Sequence, residues 1–227
     1  MMKKIALIYM GGTFGCVGEP LMPMPEQDFL PLLAKIIPPH LQVECFAAPS
    51  IKDSSACTAT DWLKLIQQIQ QLQLNGFQHF VIIHGTDTLS YAAATLAHFL
   101  GHSCHAIITG SQYPLLNVEG NDTREFTDAT GNLYLALEQV LSLPTGVYLA
   151  FHEQVFHAQT TLKAHTTELD AFVGVKADQS CQTTADSLVV QNEYIQQAAE
   201  LSILNLMLQP IAKEQLILQL KNILLNP

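Results

Sequence analysis

Short apolar runs alternate with longer amphipathic segments along most of the chain. The apolar runs have the composition of buried strands, and they read KKIALIYM, LQVECFAA, FQHFVII, HAIITG and GVYLAF. The segments between them place apolar residues at helical spacing, most clearly DWLKLIQQIQQLQL, where Thr58 and Asp61 predict a capping box at the helix start. This alternation is typical of an α/β fold, a mainly parallel sheet with helices on both faces.

The alternation ends near residue 175, which predicts a first domain over residues 1–175. Residues 176–200 are polar and weakly periodic, so we expect a linker there. Residues 201–227 add one apolar run and one helical pattern, which predicts a vestigial strand–helix unit. One strand and one helix cannot bury a core alone. We therefore expect this unit to pack on the first domain or on a second copy of the chain.

The charge balance restricts the partners of the chain. Lys and Arg number 10 against 20 Asp and Glu, and the net charge of −10 opposes binding to nucleic acid or to an anionic membrane surface. The N-terminal apolar run covers only residues 5–10, too short for a signal peptide or a membrane span, so we expect a cytoplasmic protein. The dispersed cysteines and histidines indicate neither a disulfide framework nor a metal site.

Polar loops follow the strands of the predicted sheet, and they read GGTFG, SIKDSSACT, HGTDT and GSQYPL. The carboxyl ends of parallel strands share one edge, where ligands of α/β sheets bind, so we expect the four loops to line one pocket. Each polar residue also has a simpler interpretation. Asp87 or Thr88 can cap the following helix, Asp53–Ser55 can form a turn, and Lys163 in TTLKAH can be an ordinary surface lysine.

Six motifs occur together along the chain: MGGTFG, DSS, HGTDT, GSQYPL, TDATGNLYLAL and LKAHTTELDAF. In this order and at roughly this spacing they resemble the motifs of bacterial-type L-asparaginases, and the resemblance is closer to the cytoplasmic type I branch. It covers about residues 3–175. The combination of GGT with HGTDT is specific to that superfamily. The chain is therefore similar to an L-asparaginase whose C-terminal domain is truncated.

The resemblance implies hydrolysis of the side-chain amide of L-asparagine to L-aspartate and ammonia through an acyl-threonine intermediate. Its implied nucleophile is Thr13, and its implied second catalytic group joins the Thr86 hydroxyl with Asp87 and Lys163. A free hydroxyl is a poor nucleophile and needs a neighbouring base, a role that suits a desolvated, neutral Lys163. Backbone amides near Thr86 would form the oxyanion hole.

The same resemblance implies where the amino-acid end of the substrate binds. Asp87 would face the α-ammonium group, while the serines and backbone amides would face the α-carboxylate. The implied binding set is Asp53, Ser54, Ser55, Gly85, Thr86 and Asp87. The implied chemistry requires no metal and no cofactor. Members of the family act as dimers or tetramers, so we expect a homodimer or a higher homo-oligomer.

Two departures from the family pattern predict weak activity. Leu21, in GEPLMP, stands where the family has a tyrosine on its active-site flap, and the sequence reaches only the opening strand and helix of the C-terminal domain. An alternative is a non-catalytic binder of L-aspartate or L-asparagine that keeps the family pocket. A third interpretation, a domain of an amidotransferase that handles glutamine and tRNA, is opposed by the negative net charge.

Overall fold

A computed structural model describes residues 3–201 and the isolated positions 215, 217 and 221. Within residues 3–201 the strands are β1 (Lys4–Gly11), β2 (Cys16–Val17), β3 (Met22–Pro23), β4 (Gln42–Lys52), β5 (His79–Ile83), β6 (His105–Thr109), β7 (Gly146–Phe151), β8 (Gln154–His157), β9 (Leu162–Lys163) and β10 (Phe172–Val173). The α-helices there are α1 (Glu26–Lys35), α2 (Ala59–Leu74), α3 (Leu89–Leu100), α4 (Ala129–Ser142) and α5 (Asn192–Glu200). The strand–helix unit expected at residues 201–227 lies outside the described residues, apart from Leu201 and the isolated positions.

Six strands form one sheet in the order β4–β1–β5–β6–β7–β8. The first five run parallel, and β8 pairs antiparallel with β7 at the edge. β1 lies inside the sheet, where Ile8 is opposite Phe46 of β4 on one side and Ile82 of β5 on the other. The predicted mainly parallel α/β sheet is confirmed, whereas the edge strand β8 is an element that the sequence patterns do not indicate.

Both faces of the sheet are covered by helices, because successive strand residues point to opposite faces. On one face, Ile8 and Ile82 belong to a buried cluster with Ile66 of α2 and Leu96 of α3. On the other face, a second buried cluster joins strand and helix residues, among them Leu7, Val81, Ile107, Phe29, Leu33, Leu133 and Leu137. This two-sided burial explains why the strands are continuously apolar rather than alternating.

The start of α2 is tied to the end of β4 by the predicted capping box. The Thr58 backbone N–H donates to the Asp61 carboxylate at 2.8 Å, and the Lys52 Nζ lies 3.1 Å from the same group. Burial acts to raise the pKa of Asp61, but hydrogen bonds, including those from Thr58 and Lys52, bring it below its ordinary value. The capping box is confirmed. Through Thr58 and Lys52, Asp61 contacts both ends of the loop between β4 and α2.

The segment expected as a linker, residues 176–200, lies against the helices. The His102 N–H donates to Ala185 O at 3.0 Å, and the Leu188 N–H donates to Phe99 O at 2.8 Å. Its last residues form α5, whose Ile195 packs against the core beside α2. Among the described residues, no helix is long and apolar enough to cross a membrane.

Glycines bring the loops at the carboxyl edge of the sheet into backbone contact. A Cβ on Gly12 would overlap the Cα of Gly85, and one on Gly110 would overlap the carbonyl oxygen of His84. A Cβ on Gly85 would collide with the hydroxyl of Ser54. All four predicted loops therefore meet at one edge of the sheet, and they meet at distances that only unsubstituted backbone allows.

Replacing Gly12 by alanine tests this close approach. Gly12 has φ +82° and ψ −177°, a conformation essentially restricted to glycine, and Gly76, with φ +91° and open space within 4 Å of where a Cβ would stand, provides a control with a positive φ but no clash. Gly76→Ala should cost about 1–2 kcal/mol of unfolding free energy from the left-handed backbone. Gly12→Ala should cost at least about 2 kcal/mol more, because the backbone of a neighbouring loop must move. Urea unfolding measures both losses, and equal losses would contradict the account.

A stacked histidine pair lies at the opposite, amino-terminal edge of the sheet. The rings of His79 and His105, on neighbouring strands, are 4.6 Å apart and within 2° of parallel. His79 is buried, and its Nε2 finds no hydrogen-bond partner in the described part of the chain. Burial, followed by the charges of His105 and Lys3, lowers the pKa of His79 to about 4.

This pair predicts a pH dependence of stability. Between about pH 6.5, the ordinary pKa of an unfolded histidine, and about pH 4, that of folded His79, the unfolded chain binds more protons than the folded one. The contribution of His79 to stability is therefore complete above pH 6.5 and is lost as the pH falls towards 4. His79→Phe, which keeps an aromatic ring in the stack, should flatten this decline, whereas His40→Phe at an exposed site should not. Urea unfolding at several pH values would refute the assignment if both variants followed the unmodified protein.

Candidate active site

Thr13 lies directly after β1, in a single 3₁₀ turn over Thr13–Gly15. Gly11 and Gly12 precede it with φ values of +103° and +82°, which turn the chain away from the strand. The turn is held from two sides: the Gly12 N–H donates to Lys52 O at 3.3 Å, and the Leu115 N–H donates to Phe14 O at 3.0 Å. The hydroxyl of Thr13 is thus carried by a fixed turn beside the loop of Gly85.

Lys163, Thr86 and Asp87 form one hydrogen-bonded group. The Lys163 Nζ lies 2.9 Å from Thr86 Oγ1 and 3.1 Å from Asp87 Oδ1. Lys163 lies on the short strand β9, which pairs with β10, and Phe172 of β10 is opposite it. This residue of the group therefore comes from an element outside the main sheet. Only 16% of the Lys163 side chain is exposed, against 58% of the Asp87 side chain. Lys163 is therefore not the ordinary surface lysine of the simpler interpretation.

The arrangement of this group allows proton transfer. An amine 2.9 Å from a hydroxyl can accept its proton when the amine is neutral. The carboxylate of Asp87, in contact with the same nitrogen, stabilises the positive charge that this transfer creates. The Thr86 hydroxyl, or a water molecule next to it, can in this way become a nucleophile.

Gln112 connects Thr86 to the loop that carries Lys163. Its Nε2 donates to the carbonyl oxygens of Thr166 and Glu168, at 3.0 and 2.9 Å. Because both of these partners are acceptors, the amide nitrogen must face them, and Oε1 is left to accept from Thr86 Oγ1 at 3.4 Å. The sequence patterns indicate the GSQYPL loop but do not single out Gln112; its position in a loop after a buried strand is the available signal.

Asp128 holds the backbone of the same loop. Its two carboxylate oxygens accept from the N–H groups of Gln112 and Tyr113, both at 2.9 Å. The Asn132 side chain on α4 donates to Gly110 O at 2.9 Å and to Asp128 at 3.1 Å. This network fixes the GSQYPL loop on the start of α4, and sequence reasoning missed it although the motif TDATGNLYLAL contains both side chains.

The DSS loop is joined to the HGTDT loop through Ser54. The Ser54 hydroxyl accepts from the Asp87 N–H at 3.3 Å, and its carbonyl accepts from the Thr88 hydroxyl at 2.8 Å. Ser55 is more exposed and donates its N–H and hydroxyl to Asp53 Oδ1, at 2.8 and 2.6 Å. These hydrogen bonds lower the pKa of Asp53. The structure therefore brings Ser54 to Asp87, and it leaves Ser55 and Asp53 at the surface of the loop.

Two cysteines on the site loops do not compete as nucleophiles. Cys16 follows the Thr13 turn and Cys57 follows the DSS turn. Burial, together with nearby carboxylates, raises the pKa of both thiols, that of Cys57 to about 11. Because the thiolate is the reactive form, these groups stay unreactive at neutral pH. Thiol attack from these two positions is therefore disfavoured at neutral pH.

Leu21 is exposed, whereas Tyr9, the tyrosine nearest the GGT motif in sequence, is buried. Leu21 lies between β2 and β3 with 47% of its surface exposed. Tyr9 is fully buried, packs on Phe29 at 4.6 Å between ring centres, and has its hydroxyl against Gly15 under the Thr13 turn. Burial raises the pKa of Tyr9 far above its ordinary value, so this phenol stays protonated.

Comparison with known proteins identifies the relatives of this site. The family model "Asparaginase, N-terminal" matches residues 4–196. L-asparaginase 1 of Escherichia coli K12 is 30% identical over 188 residues, which cover 75% of this chain and 50% of that protein. An L-asparaginase of Bacillus licheniformis is 29% identical over 182 residues, covering 76% of this chain and 53% of that protein.

A solved structure agrees with the sequence relatives. L-asparaginase I from Vibrio cholerae superposes with a TM-score of 0.64 at 25% identity, over 82% of this chain and 62% of that chain. The chain spans about half the length of the sequence relatives it matches. Because the family model covers most of the sequence and places the GGT and HGTDT loops inside the match, the chain belongs to the asparaginase family.

Proposed function

We propose that the protein hydrolyses the side-chain amide of L-asparagine to L-aspartate and ammonia through an acyl ester on threonine. The observation that carries this proposal is the contact of Lys163 with both Thr86 and Asp87. A partly buried amine in contact with a hydroxyl at the loop edge of an α/β sheet is an arrangement that can activate an oxygen nucleophile. Relatives named L-asparaginase support the choice of reaction.

The first half of the proposed reaction uses Thr13. Its hydroxyl oxygen attacks the amide carbon of the substrate, the hydroxyl proton passes to the leaving nitrogen, and the carbon–nitrogen bond breaks to release ammonia. The product is an aspartyl ester of Thr13. Gly12 supports this role, because its backbone contact with Gly85 brings the Thr13 turn against the loop that carries Thr86.

The second half uses the group around Thr86. A water molecule bonded to Thr86 passes a proton through the hydroxyl to the Nζ of Lys163, and its oxygen attacks the ester carbon. The ester bond breaks, L-aspartate leaves, and Thr13 regains its proton. Asp87 stabilises the ammonium form of Lys163 while the proton is held there.

The proposed substrate-binding groups surround the same loops. The partly exposed carboxylate of Asp87 is the partner for the α-ammonium group, and it can serve this purpose while it contacts Lys163 because it has two oxygens. The proposed partners of the α-carboxylate are Ser55, which is exposed at the surface of its loop, and the backbone N–H of Gly85. Ser54 supports these groups through the Asp87 N–H, and Asp53 orients Ser55.

A second candidate is a non-catalytic binder of L-aspartate or L-asparagine that keeps the family pocket. Leu21 favours it, because the resemblance implies a flap tyrosine at this position and a leucine has no hydroxyl. We also propose, from the family resemblance, a homodimer or a higher homo-oligomer and a division into residues 1–175, 176–200 and 201–227. Light scattering for mass, and limited proteolysis for the boundaries, test these two proposals.

Removing either hydroxyl should abolish turnover. Thr13→Ala and Thr86→Val should each lower ammonia release from L-asparagine by about 10³-fold or more, because a nucleophile or its activating group is lost. Thr13→Ser and Thr86→Ser keep the hydroxyls and should retain measurable activity. A coupled ammonia assay measures the rates, and thermal unfolding shows that each variant is folded. Activity that survives in Thr13→Ala would refute the role of Thr13.

Calorimetry with L-aspartate separates the enzyme from the binder. The unmodified protein should bind L-aspartate, and Asp87→Asn should weaken binding by about tenfold or more through loss of the charge opposite the α-ammonium group. Binding by a protein that releases no ammonia from asparagine or glutamine would overturn the enzyme proposal and support the binder. Absence of both binding and turnover would refute both.

A further inference from the structure

The buried His84 and the partly buried Trp62, beside the catalytic loop, have no part in the reaction described above. His84 ends the run from β5 and is 1% exposed. Trp62, in the first turn of α2, places its Nε1 3.1 Å from His84 Nε2. On the other side of the ring, His84 Nδ1 lies 2.8 Å from the carbonyl oxygen of Gly85. The ring therefore bridges α2 and the peptide bond immediately before Thr86.

The partners of the ring determine its tautomer. An indole nitrogen can only donate a hydrogen bond, so His84 Nε2 must carry the lone pair that accepts it. The proton of the neutral ring is then on Nδ1, where it is donated to Gly85 O. Burial lowers the pKa of His84, which is consistent with a neutral ring.

The held carbonyl also orients the next N–H group. In a trans peptide, the C=O of Gly85 and the N–H of Thr86 point in opposite directions. With the carbonyl fixed on His84, the Thr86 N–H must face away from the buried ring. This N–H finds no hydrogen-bond acceptor within residues 3–201, although the neighbouring Asp87 N–H is bonded to Ser54. An oriented, unused donor next to a nucleophile is what an oxyanion requires.

We propose that His84 is a positioning residue: its Nδ1–H, fixed by Trp62, holds the Gly85 carbonyl so that the Thr86 N–H is aimed at the developing oxyanion. The proposal rests on the proposed amide hydrolysis and assigns to the His of HGTDT a task beyond packing. His84 contacts no reacting atom, and its effect acts through one peptide bond. A ring that only filled space would leave the direction of that N–H, and hence the catalytic rate, unchanged.

The tautomer can be measured without turnover. Long-range proton–nitrogen NMR spectra of the uniformly labelled protein should show His84 with the proton on Nδ1 and with Nε2 unprotonated. Trp62→Phe, which removes the indole donor, should shift the ring towards a mixture of tautomers. A ring protonated on Nε2 in the unmodified protein would overturn the proposal. This result is independent of whether the protein hydrolyses asparagine.

Kinetics then test the consequence for the rate. His84→Leu should lower kcat for ammonia release by about 10- to 100-fold with KM within about threefold, because the oriented N–H acts in the transition state. His84→Asn puts an N–H at the position of Nδ1 and should recover kcat to within about fivefold of the unmodified protein. His84→Gln reaches instead to the position of Nε2 and should not recover it. His40→Leu, at an exposed site, is the matched control.

The outcomes separate the two proposals. Suppose that the unmodified protein is active. The role of His84 is then overturned if folded His84→Leu keeps the same kcat, or if kcat is equally low in His84→Leu and His84→Asn. Both results leave the proposed function intact. If His84→Leu does not fold, the contrast between His84→Asn and His84→Gln decides.

An inactive unmodified protein refutes the proposed function, and the Thr86 amide resonance then decides the role of His84. On addition of L-aspartate this resonance should move in the unmodified protein and in His84→Asn, and it should move less in His84→Gln. Equal movements in the two variants would overturn the role of His84.

Discussion

The site depends on one steric constraint, the contact between loop backbones at the carboxyl edge of the sheet. Gly12 lies against Gly85, Gly110 lies against the carbonyl of His84, and a side chain on any of these glycines would overlap a neighbouring loop. Parallel strands spaced by their hydrogen bonds bring their loops to one edge, but not into contact. The glycines remove the remaining separation, so polar groups from distant parts of the sequence share one small volume.

Hydrogen bonds then make this contact rigid. Ser54 links the DSS loop to Asp87, and Gln112 links Thr86 to the loop that follows Lys163. Because each link joins a side chain to a group on a neighbouring loop, the loops hold one another in place. Such preorganisation is the main way in which an active site lowers the reorganisation cost of a reaction. Lys163 is the one residue of the Thr86 group that does not come from a loop after a strand of the main sheet, because it lies on β9.

Much of the fold could be predicted from the sequence, because local patterns determine it. Apolar runs and helical spacing located the five parallel strands and α1 to α4, and Thr58 with Asp61 marked the start of α2. The edge strand β8 and helix α5 could not be predicted, since both are stabilised by tertiary neighbours rather than by their own pattern. Residues 176–200 have a polar, weakly periodic sequence, and the backbone hydrogen bonds that hold part of this segment against the helices leave no trace in composition.

The site, like the fold, could be predicted from the sequence only in part. Strand-end loops predicted which residues converge, but not how their hydrogen bonds are shared, as Gln112 and the pairing of Trp62 with His84 show.

The central claim, that Thr13 carries the acyl group while the Thr86 group removes it, is tested most directly by mass spectrometry of peptides from acid-quenched reactions with L-asparagine. The account predicts an aspartyl ester on the peptide that contains Thr13, at higher occupancy in Lys163→Met than in the unmodified protein. An ester on the peptide that contains Thr86, or ammonia release with no ester in either protein, would contradict it.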